Sequence, residues 1–373
     1  MFTAEKSALL SALETANSAV ERRNTIPILA NVLFERAGDP DRLTLRATDL
    51  DIEIVVSFAA DAAEGFEPFT VSASMLLSIV KSLPDGAITI ANADAKANAL
   101  QDITVKSGRS KFRLPVLPDE DFPTLPEMTA KPITVDAQPF RQALVETAFA
   151  MAPAKDTRDY LKGVYLHRRK NDIALVATTG HYLSVRVIDA FDSPKDLPGV
   201  IISDKMVGIL VKALPETGTV SLRLDERRIS AVIGNRTITA KLVGATYPDY
   251  PRMIASGLDD AVTVERKKLL EATKRVGLVL TAMSKAASLT FSNGLLTIEA
   301  ADREAGDASE EVEIEGEIEK RLGVNQQYLA AALDHIPGAR IAINTGDAAS
   351  QQLRLTSPDG HDDDLIIIML MRG

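Results

Sequence analysis

One segment of the chain occurs three times, and this internal repeat restricts the fold more than any single motif. In each copy a Ser or Asn precedes about ten residues with helical apolar spacing, a proline follows, and a glycine leads into an alternating strand pattern. The copies are SASMLLSIVKSLPDGAITI (72–90), SDKMVGILVKALPETGTVSL (203–222) and NQQYLAAALDHIPGARIAI (325–343). Each copy predicts a helix followed by a strand, with Pro84, Pro215 and Pro337 in equivalent positions.

Two further elements recur with the same period. RLTLRATDLDIEIVV returns as DIALVATTGHYLSVRV and as LLTIEAADREAGDASEEVEI, and each predicts two strands joined by a tight polar turn. The turns place Thr48, Thr178 and Ala301 in register, 130 and 123 residues apart, against 131 and 122 for the prolines. The first helix of each copy carries LETA (13–16), VETA (145–148) or LEAT (270–273). Three similar domains are therefore expected, near 1–126, 127–255 and 256–373.

Proline-rich connectors mark the two expected boundaries. The first lies in LPVLPDEDFPTLPEMTAKP, which holds five prolines from Pro115 to Pro132, and the second lies in TYPDYPRMIASG. Proline favours extended structure over a helix or a central strand. The rest of each domain consists mostly of short alternating segments, such as ISAVIGNRTITAKLV, in which a Gly-Asn turn predicts a hairpin. Helices packed on antiparallel sheets, three times over, are an α+β architecture.

Composition limits the class of protein. The chain has 373 residues, no cysteine and four histidines, so a disulfide framework or thiolate metal site is excluded, and neither a metal nor a cofactor is expected. The first 21 residues contain Glu5 and Glu14 where a signal peptide would be apolar, and no apolar run approaches the length of a membrane span. A cytoplasmic protein with no membrane contact is the interpretation.

The distribution of charge matters more than its sum. A net charge of -10 argues against nucleic-acid binding if it is taken alone, although a ring with an acidic exterior and a basic lining has the same total. Basic residues cluster on the expected helices, whereas the acidic run 307–319 falls among strands. The cluster comprises Lys6, Arg22, Arg23, Arg141, Lys155, Arg158, Arg266, Lys267, Lys268, Lys274 and Arg275. It fits either a DNA channel or ordinary solvated helix faces.

Five segments, in order over the full length, resemble the bacterial DNA polymerase III beta subunit family. They are RRNTIPILANVL (22–33), RSKFRLPVLPDEDFPTLP (109–126), ATTGHYLSVRV (177–187), KLVGATYPDYPRM (241–253) and the terminal IIIMLMRG. The resemblance implies three DNA-clamp domains, each with two helices packed on antiparallel sheets, and a head-to-tail homodimer forming a six-domain ring. It also implies a non-catalytic sliding clamp that encircles duplex DNA without sequence specificity and tethers DNA polymerases, the clamp loader and repair proteins.

The resemblance also implies particular site residues. Partner peptides are expected in an apolar cleft formed by Leu161, Thr178, Gly180, His181, Tyr182, Leu183, Pro248, Arg252, Met253, Ile367, Met369, Leu370 and Met371. DNA contacts are expected at Arg23, Lys155 and Arg158, and dimer contacts at Phe112, Leu114, Val279 and Leu280. The chain departs from the family pattern at Tyr182, Leu370 and Gly373, and Asp159 stands where an aromatic residue is familiar. The first three departures concern peptide preference, and the fourth concerns a DNA contact.

Two other functions are compatible with the residues. An enzyme would use His181 as a general base near Asp49 or Asp302, but no nucleophile motif, phosphate loop or metal spacing accompanies this histidine. The equivalent positions of the other repeats carry no histidine. The second alternative is a scaffold ring without DNA in its hole, which DNA retention after loading would distinguish from a clamp.

Overall fold

The computed structural model describes residues 1–21, 26–93, 102–189, 197–258, 260–281, 284–346 and 351–371. The chain divides into two compact units. Unit 1 comprises Met1–Val135 and Lys212–Leu242, and unit 2 comprises Asp136–Val211 and Val243–Gly373.

The secondary structure repeats three times along the chain. The first copy contains β1 (Phe2–Glu5), α1 (Lys6–Ala16), β2 (Asn31–Arg36), β3 (Arg42–Thr48), β4 (Ile52–Ala59), β5 (Asp61–Ala62), β6 (Phe69–Ser72), α2 (Ala73–Ser82), β7 (Ala87–Asn92), β8 (Asp102–Ser107) and β9 (Ser110–Leu117). The second contains β10 (Ile133–Asp136), α3 (Ala137–Ala148), β11 (Gly163–Arg169), β12 (Asp172–Thr178), β13 (Tyr182–Ile188), β14 (Val200–Ser203), α4 (Asp204–Ala213), β15 (Thr219–Leu224), β16 (Arg228–Ile233) and β17 (Arg236–Lys241). The third contains β18 (Asp260–Glu265), α5 (Arg266–Val276), β19 (Ala286–Ser292), β20 (Leu295–Asp302), β21 (Gly306–Glu315), β22 (Lys320–Asn325), α6 (Gln326–His335), β23 (Arg340–Thr345), β24 (Gln352–Thr356) and β25 (Leu365–Met369).

The α+β architecture predicted from the repeat is confirmed. Apart from the additional short strand β5, each copy has the order β-α-β-β-β-β-α-β-β-β. Helices α2, α4 and α6 each end two residues before the proline of the repeated segment. Their predicted caps are present as well: Ser72 accepts a hydrogen bond from the Met75 amide, Ser203 from Met206, and Asn325 from both Gln327 and Tyr328.

Each helix buries the apolar side that its spacing predicts. Leu9, Leu13 and Ala16 of α1 are fully buried, as are Phe140 and Leu144 of α3. In unit 2 the C-terminal copy builds one continuous core from α5, α6 and the strands around them. Removing one of these buried leucines leaves a cavity and costs about 2–5 kcal/mol of stability, so packing fixes the helices on their sheets.

Strands in unit 1 form one sheet of thirteen, in the order β10-β15-β16-β17-β4-β3-β2-β6-β9-β8-β7-β1-β5. The hairpin predicted at Gly234-Asn235 is present as β16 and β17, and β17 continues the sheet by pairing with β4.

Strand β9 pairs with β8 over Ser110–Pro115 and then with β6 over Val116–Leu117. Pro115 therefore lies inside an interior strand, contrary to expectation. Proline has no backbone N–H and would interrupt a continuous ladder of hydrogen bonds. Pro115 is tolerated because β9 changes its partner strand from β8 to β6 directly after this residue.

Strands in unit 2 form one sheet of twelve, in the order β14-β11-β12-β13-β25-β24-β23-β18-β21-β20-β19-β22. The central and C-terminal copies meet where β13 pairs antiparallel with β25, with Tyr182 opposite Ile368 and Leu183 opposite Ile367. None of the helices in the described ranges is long and apolar enough to cross a membrane.

Candidate functional site

The β13–β25 junction brings the predicted cleft residues together. Leu161, Leu183 and Ile367 are 2–3% exposed and belong to one apolar cluster with Tyr247 and Tyr250. This cluster joins residues that are far apart in sequence, because β13 lies between β12 and β25 in the sheet. The floor of the site is therefore a rigid, well-packed surface.

A tight turn between β12 and β13 forms one wall of the site. The Thr178 hydroxyl donates to the Tyr182 carbonyl at 2.7 Å and accepts from the Gly180 amide at 2.9 Å. Gly180 has φ +88°, a backbone conformation that L side chains rarely adopt, so glycine is required at this point of the turn. Gly180 and His181 are exposed beside the buried floor.

The C-terminal segment lies directly beside this turn, and its main chain is held at three successive residues. The Met369 amide donates to the His181 carbonyl at 2.8 Å, the Leu370 amide to Gln351, and the Met371 amide to Gly323. Met369 and Leu370 are half-buried, and Met371 is 39% exposed. Met369 thus presents adaptable apolar surface beside the floor. Leu370 packs against the core of the C-terminal repeat, and together with Met371 it lines a cavity formed with residues of β19 to β22.

Gln352 connects the C-terminal segment to the proline-rich segment that completes the site. The Gln352 side-chain amide donates to the Met253 carbonyl at 2.6 Å and lies 3.6 Å from the Met369 sulfur. Met253 is 39% exposed, and Pro248 is half-buried nearby in sequence. Pro248 and Met253 therefore add partly exposed apolar surface to the buried cluster.

The cations near the cleft are engaged by carboxylates. Arg158 makes a two-point contact with Asp156 at 2.8 and 3.0 Å, and it donates to the Thr179 carbonyl at 3.0 Å. This contact holds the pKa of the Asp156 carboxyl well below its usual range. Arg252 pairs with Asp249 at 2.7 Å. The charged side chains around the cleft are therefore paired with one another. A ligand would mainly contact apolar surface.

A buried ionic group lies behind the cleft wall. Arg186, only 2% exposed, donates to Glu146 of α3 at 2.7 Å and lies 3.9 Å from Asp364, which precedes β25. Burial raises the pKa of both carboxyls, and the guanidinium opposes that shift. Asp364 also accepts from the Val187 amide at 2.8 Å. Because breaking one member leaves a buried charge unpaired, this group holds α3, β13 and β25 in one arrangement.

Three family models match the chain in succession. They describe the N-terminal, central and C-terminal domains of the DNA polymerase III beta subunit and match residues 1–126, 134–249 and 252–369. The chain belongs to the DNA polymerase III beta subunit family. The family predicted from the sequence is thus confirmed.

Relatives of this beta subunit match over almost their whole length. The beta sliding clamp of Pseudomonas aeruginosa is 36% identical over 100% of this chain and 99% of its own, and that of Caulobacter vibrioides is 33% identical over 94% of each. A crystal structure of the Pseudomonas aeruginosa beta subunit covers 100% of both chains with a TM-score of 0.91 and 34% identity. A Pseudomonas aeruginosa sliding clamp bound to griselimycin has a TM-score of 0.92, with 34% identity over 100% of this chain and 99% of that one.

The beta-subunit residues predicted to contact DNA lie in different surroundings. Arg23 lies outside the described residues. Lys155 and Arg158 are exposed, but they follow α3, which ends at Ala148, so the expectation that they lie on a helix is wrong. Arg158 contacts the turn of the cleft, as described above, whereas Lys155 has no such contact among the hydrogen bonds of the described part.

The residues predicted to form the dimer contact differ in exposure. Phe112, Val279 and Leu280 are half-buried, whereas Leu114 is 7% exposed and already packs inside unit 1. Sequence reasoning missed Leu278, which lies in the single turn of 3-10 helix after α5 and is 82% exposed. Its signal was the uninterrupted apolar run Leu278-Val279-Leu280, which exceeds what one face of a helix can bury.

Sequence reasoning also missed Phe149, Tyr328 and Gln352 beside the cleft. Tyr328 is on α6, and its ring lies 4.8 Å from that of Tyr182. The catalytic alternative gains no support from the geometry. The His181 ring stacks on Tyr328, and the Asp302 carboxylate accepts from Thr281 and from the Glu304 amide instead. Within the described ranges no three His, Cys, Asp or Glu side chains are grouped to hold a metal ion.

Proposed function

We propose that this chain is a non-catalytic DNA sliding clamp: two copies close head to tail around duplex DNA, and the cleft at β13–β25 binds short apolar peptides of DNA polymerases, the clamp loader and repair proteins. The observation that carries the proposal is the apolar cleft in a chain that belongs to the beta subunit family over its whole length. A cleft of adaptable methionines over a rigid floor suits many related peptides.

Two strand edges support the ring. Over residues 110–115 strand β9 pairs only with β8, and over residues 306–313 strand β21 pairs only with β20, within the part of the chain that the structure describes. The first edge carries Lys111 and directly follows Arg109, and the second carries Asp307 and Glu311. Unpaired edges of opposite charge recruit one another, and a heterologous contact that closes gives a ring.

We further propose that the repeats are three domains with boundaries near residues 126 and 255, and that the protein works in the cytoplasm. The recurring element order and the successive family matches support the boundaries. The bacterial relatives support the location, because the DNA of a bacterium lies in its cytoplasm.

The clamp should remain on DNA by topology. After loading by a clamp loader, we expect long retention on closed circular duplex and rapid loss once the circle is cut, because a ring needs only weak, sequence-independent phosphate contacts. Retention is measured by gel filtration of labelled protein with each DNA. Equal retention on circles and on short linear duplex would contradict encirclement. The retention measurement could then no longer distinguish a DNA clamp from a scaffold ring.

Lys155 and Arg158 should differ in what they affect. Lys155→Ala should reduce by about one the slope of log K against log salt for a short duplex, since one phosphate contact is lost, and leave peptide affinity unchanged. Arg158→Ala should weaken both ligands, because Arg158 also holds the Thr179 carbonyl of the cleft turn. Lys241→Ala, an exposed lysine of β17, is the control. An unchanged salt slope for both variants would remove these two residues from the DNA contact.

A further inference from the structure

Five aromatic rings lie in continuous contact beside the cleft, with three stacked pairs and one pair, Tyr182 and Tyr328, tilted by 48°. The His335 ring lies 4.5 Å from Phe149, Phe149 lies 5.7 Å from Tyr182, Tyr182 lies 4.8 Å from Tyr328, and Tyr328 lies 5.9 Å from His181. We call these five residues the aromatic stack. Phe149 caps the C-terminal end of α3, Tyr182 begins β13, and Tyr328 and His335 belong to α6. The stack therefore joins the cleft turn to two helices.

Tyr182 occupies the centre of the aromatic stack and is also part of the turn. Its ring is parallel to that of Phe149 within 8°, and its hydroxyl donates to the Phe149 carbonyl at 3.3 Å. Burial raises the pKa of this hydroxyl, so it stays protonated and able to donate. The Tyr182 carbonyl accepts from the Thr178 hydroxyl at 2.7 Å and from the Thr179 amide at 3.2 Å. One residue thus closes the turn and fastens it to α3.

The neighbours of Tyr182 are attached to other parts of the cleft. His181 accepts the hydrogen bond from the Met369 amide, which holds the C-terminal segment. Leu183 is buried in the apolar floor opposite Ile367. The main-chain ladder joins the turn, Leu183 and Met369, so the contacts of the Tyr182 ring with α3 and α6 position this whole edge relative to the two helices.

We infer that Tyr182 is a positioning residue for the cleft: held between Phe149 and Tyr328, its ring fixes the turn and the paired β13–β25 edge against α3 and α6 before a peptide arrives. The inference rests on the proposed peptide-binding function. A site that is formed in advance costs a ligand less ordering on binding. If only a fraction of molecules has the formed site, the apparent affinity falls by that fraction, and the loss appears in the association rate.

The test measures association and dissociation rates of a short synthetic peptide with adjacent Leu and Phe anchors. Tyr182→Leu removes the ring, and we expect an affinity loss of about tenfold that lies mainly in the association rate. Tyr182→Phe keeps the ring and should remain within about twofold of the parent chain, since only one long hydrogen bond is lost. This rescue separates positioning by the ring from recognition by the hydroxyl.

Tyr328→Leu removes the other side of the stack without altering β13, so it tests the same inference if Tyr182→Leu folds poorly. The double variant should lose no more than the stronger single variant, because both changes break one stack. Phe66→Leu, which breaks ring pairs with Phe2 and Phe69 in unit 1, is the control for general loss of stability. Unfolding midpoints are measured for every variant.

The outcomes distinguish this inference from the function on which it rests. Failure of the parent chain to bind the peptide overturns the proposed cleft itself. Parent binding with an unchanged association rate in both Tyr182→Leu and Tyr328→Leu overturns only the positioning role. A loss confined to the dissociation rate, or additive losses in the double variant, shows that the rings contact the peptide directly and likewise overturns it.

Discussion

Leu280→Asp should convert a dimer into monomers that sediment at half the mass. The half-buried Leu280 packs against the C-terminal core and is proposed to meet the edge of β9 in the second copy, where an unpaired carboxylate costs several kcal/mol. Leu278→Asp should have the same effect with less disturbance of the single chain, because Leu278 is 82% exposed. Sedimentation velocity over a concentration series measures both variants.

Met75→Asp is the matched control, since Met75 is another exposed apolar residue, 53% accessible, outside the proposed interface. It should stay dimeric. An unchanged mass for Leu278→Asp and Leu280→Asp would contradict the placement of the interface. Monomer formation by all three variants would point to a general effect of added negative charge on a chain that already carries a net charge of -10.

Deleting Met369–Gly373 should abolish peptide binding and leave the dimer intact. The deletion removes the apolar surface of Met369 and three main-chain hydrogen bonds, but it touches neither β9 nor the turn after α5. Met369→Ala is the milder change and should cost about 1–2 kcal/mol of binding free energy, as expected for loss of an apolar anchor contact. Peptide affinity and dimer mass are measured on the same preparations.

Full peptide affinity after the deletion would refute the cleft. Loss of both peptide binding and dimer formation would mean that the tail is needed to fold unit 2. The effect of Met369→Ala on peptide affinity then decides whether the cleft is the binding site. Because Met369 also approaches the Gln352 amide at 3.6 Å, Gln352→Ala should weaken binding without altering the apolar surface, and it serves as a check on the position of Met369.

The repeat and its elements were predictable because local signals agreed with one another. The same element, a helix followed by a strand, is specified by a capping Ser or Asn, a helical apolar stripe, a proline two residues after the helix and a glycine turn. In the structure these helices pack their apolar sides into the core. The interior position of Pro115 was not predictable, since it depends on β9 changing partners from β8 to β6. Nothing in the local sequence of β9 indicates which strands lie on either side.

The cleft was predicted only through family resemblance. Leu183 and Ile367 are 184 positions apart, and no periodicity reveals that β13 pairs with β25. Tyr328 and Phe149 escaped notice for the same reason, since each is half-buried at the side or end of a helix and contacts a ring from another repeat, Tyr182 for Tyr328 and His335 for Phe149. The exposure of Leu278, in contrast, was signalled by three consecutive apolar residues, and only the first is left uncovered.

The division of the central repeat between two sheets has a consequence for how the chain can be dissected. Strands β11 to β14 complete the sheet of unit 2, and β15 to β17 complete that of unit 1. A fragment cut at the repeat boundaries would leave β4 and β25 with unpaired strand edges. Unpaired edges promote aggregation by pairing with strands of other molecules. Cooperative opening in hydrogen exchange should accordingly follow whole sheets. An exchangeable building block for chimeras therefore needs three crossovers, at 135/136, at 211/212 within α4, and at 242/243.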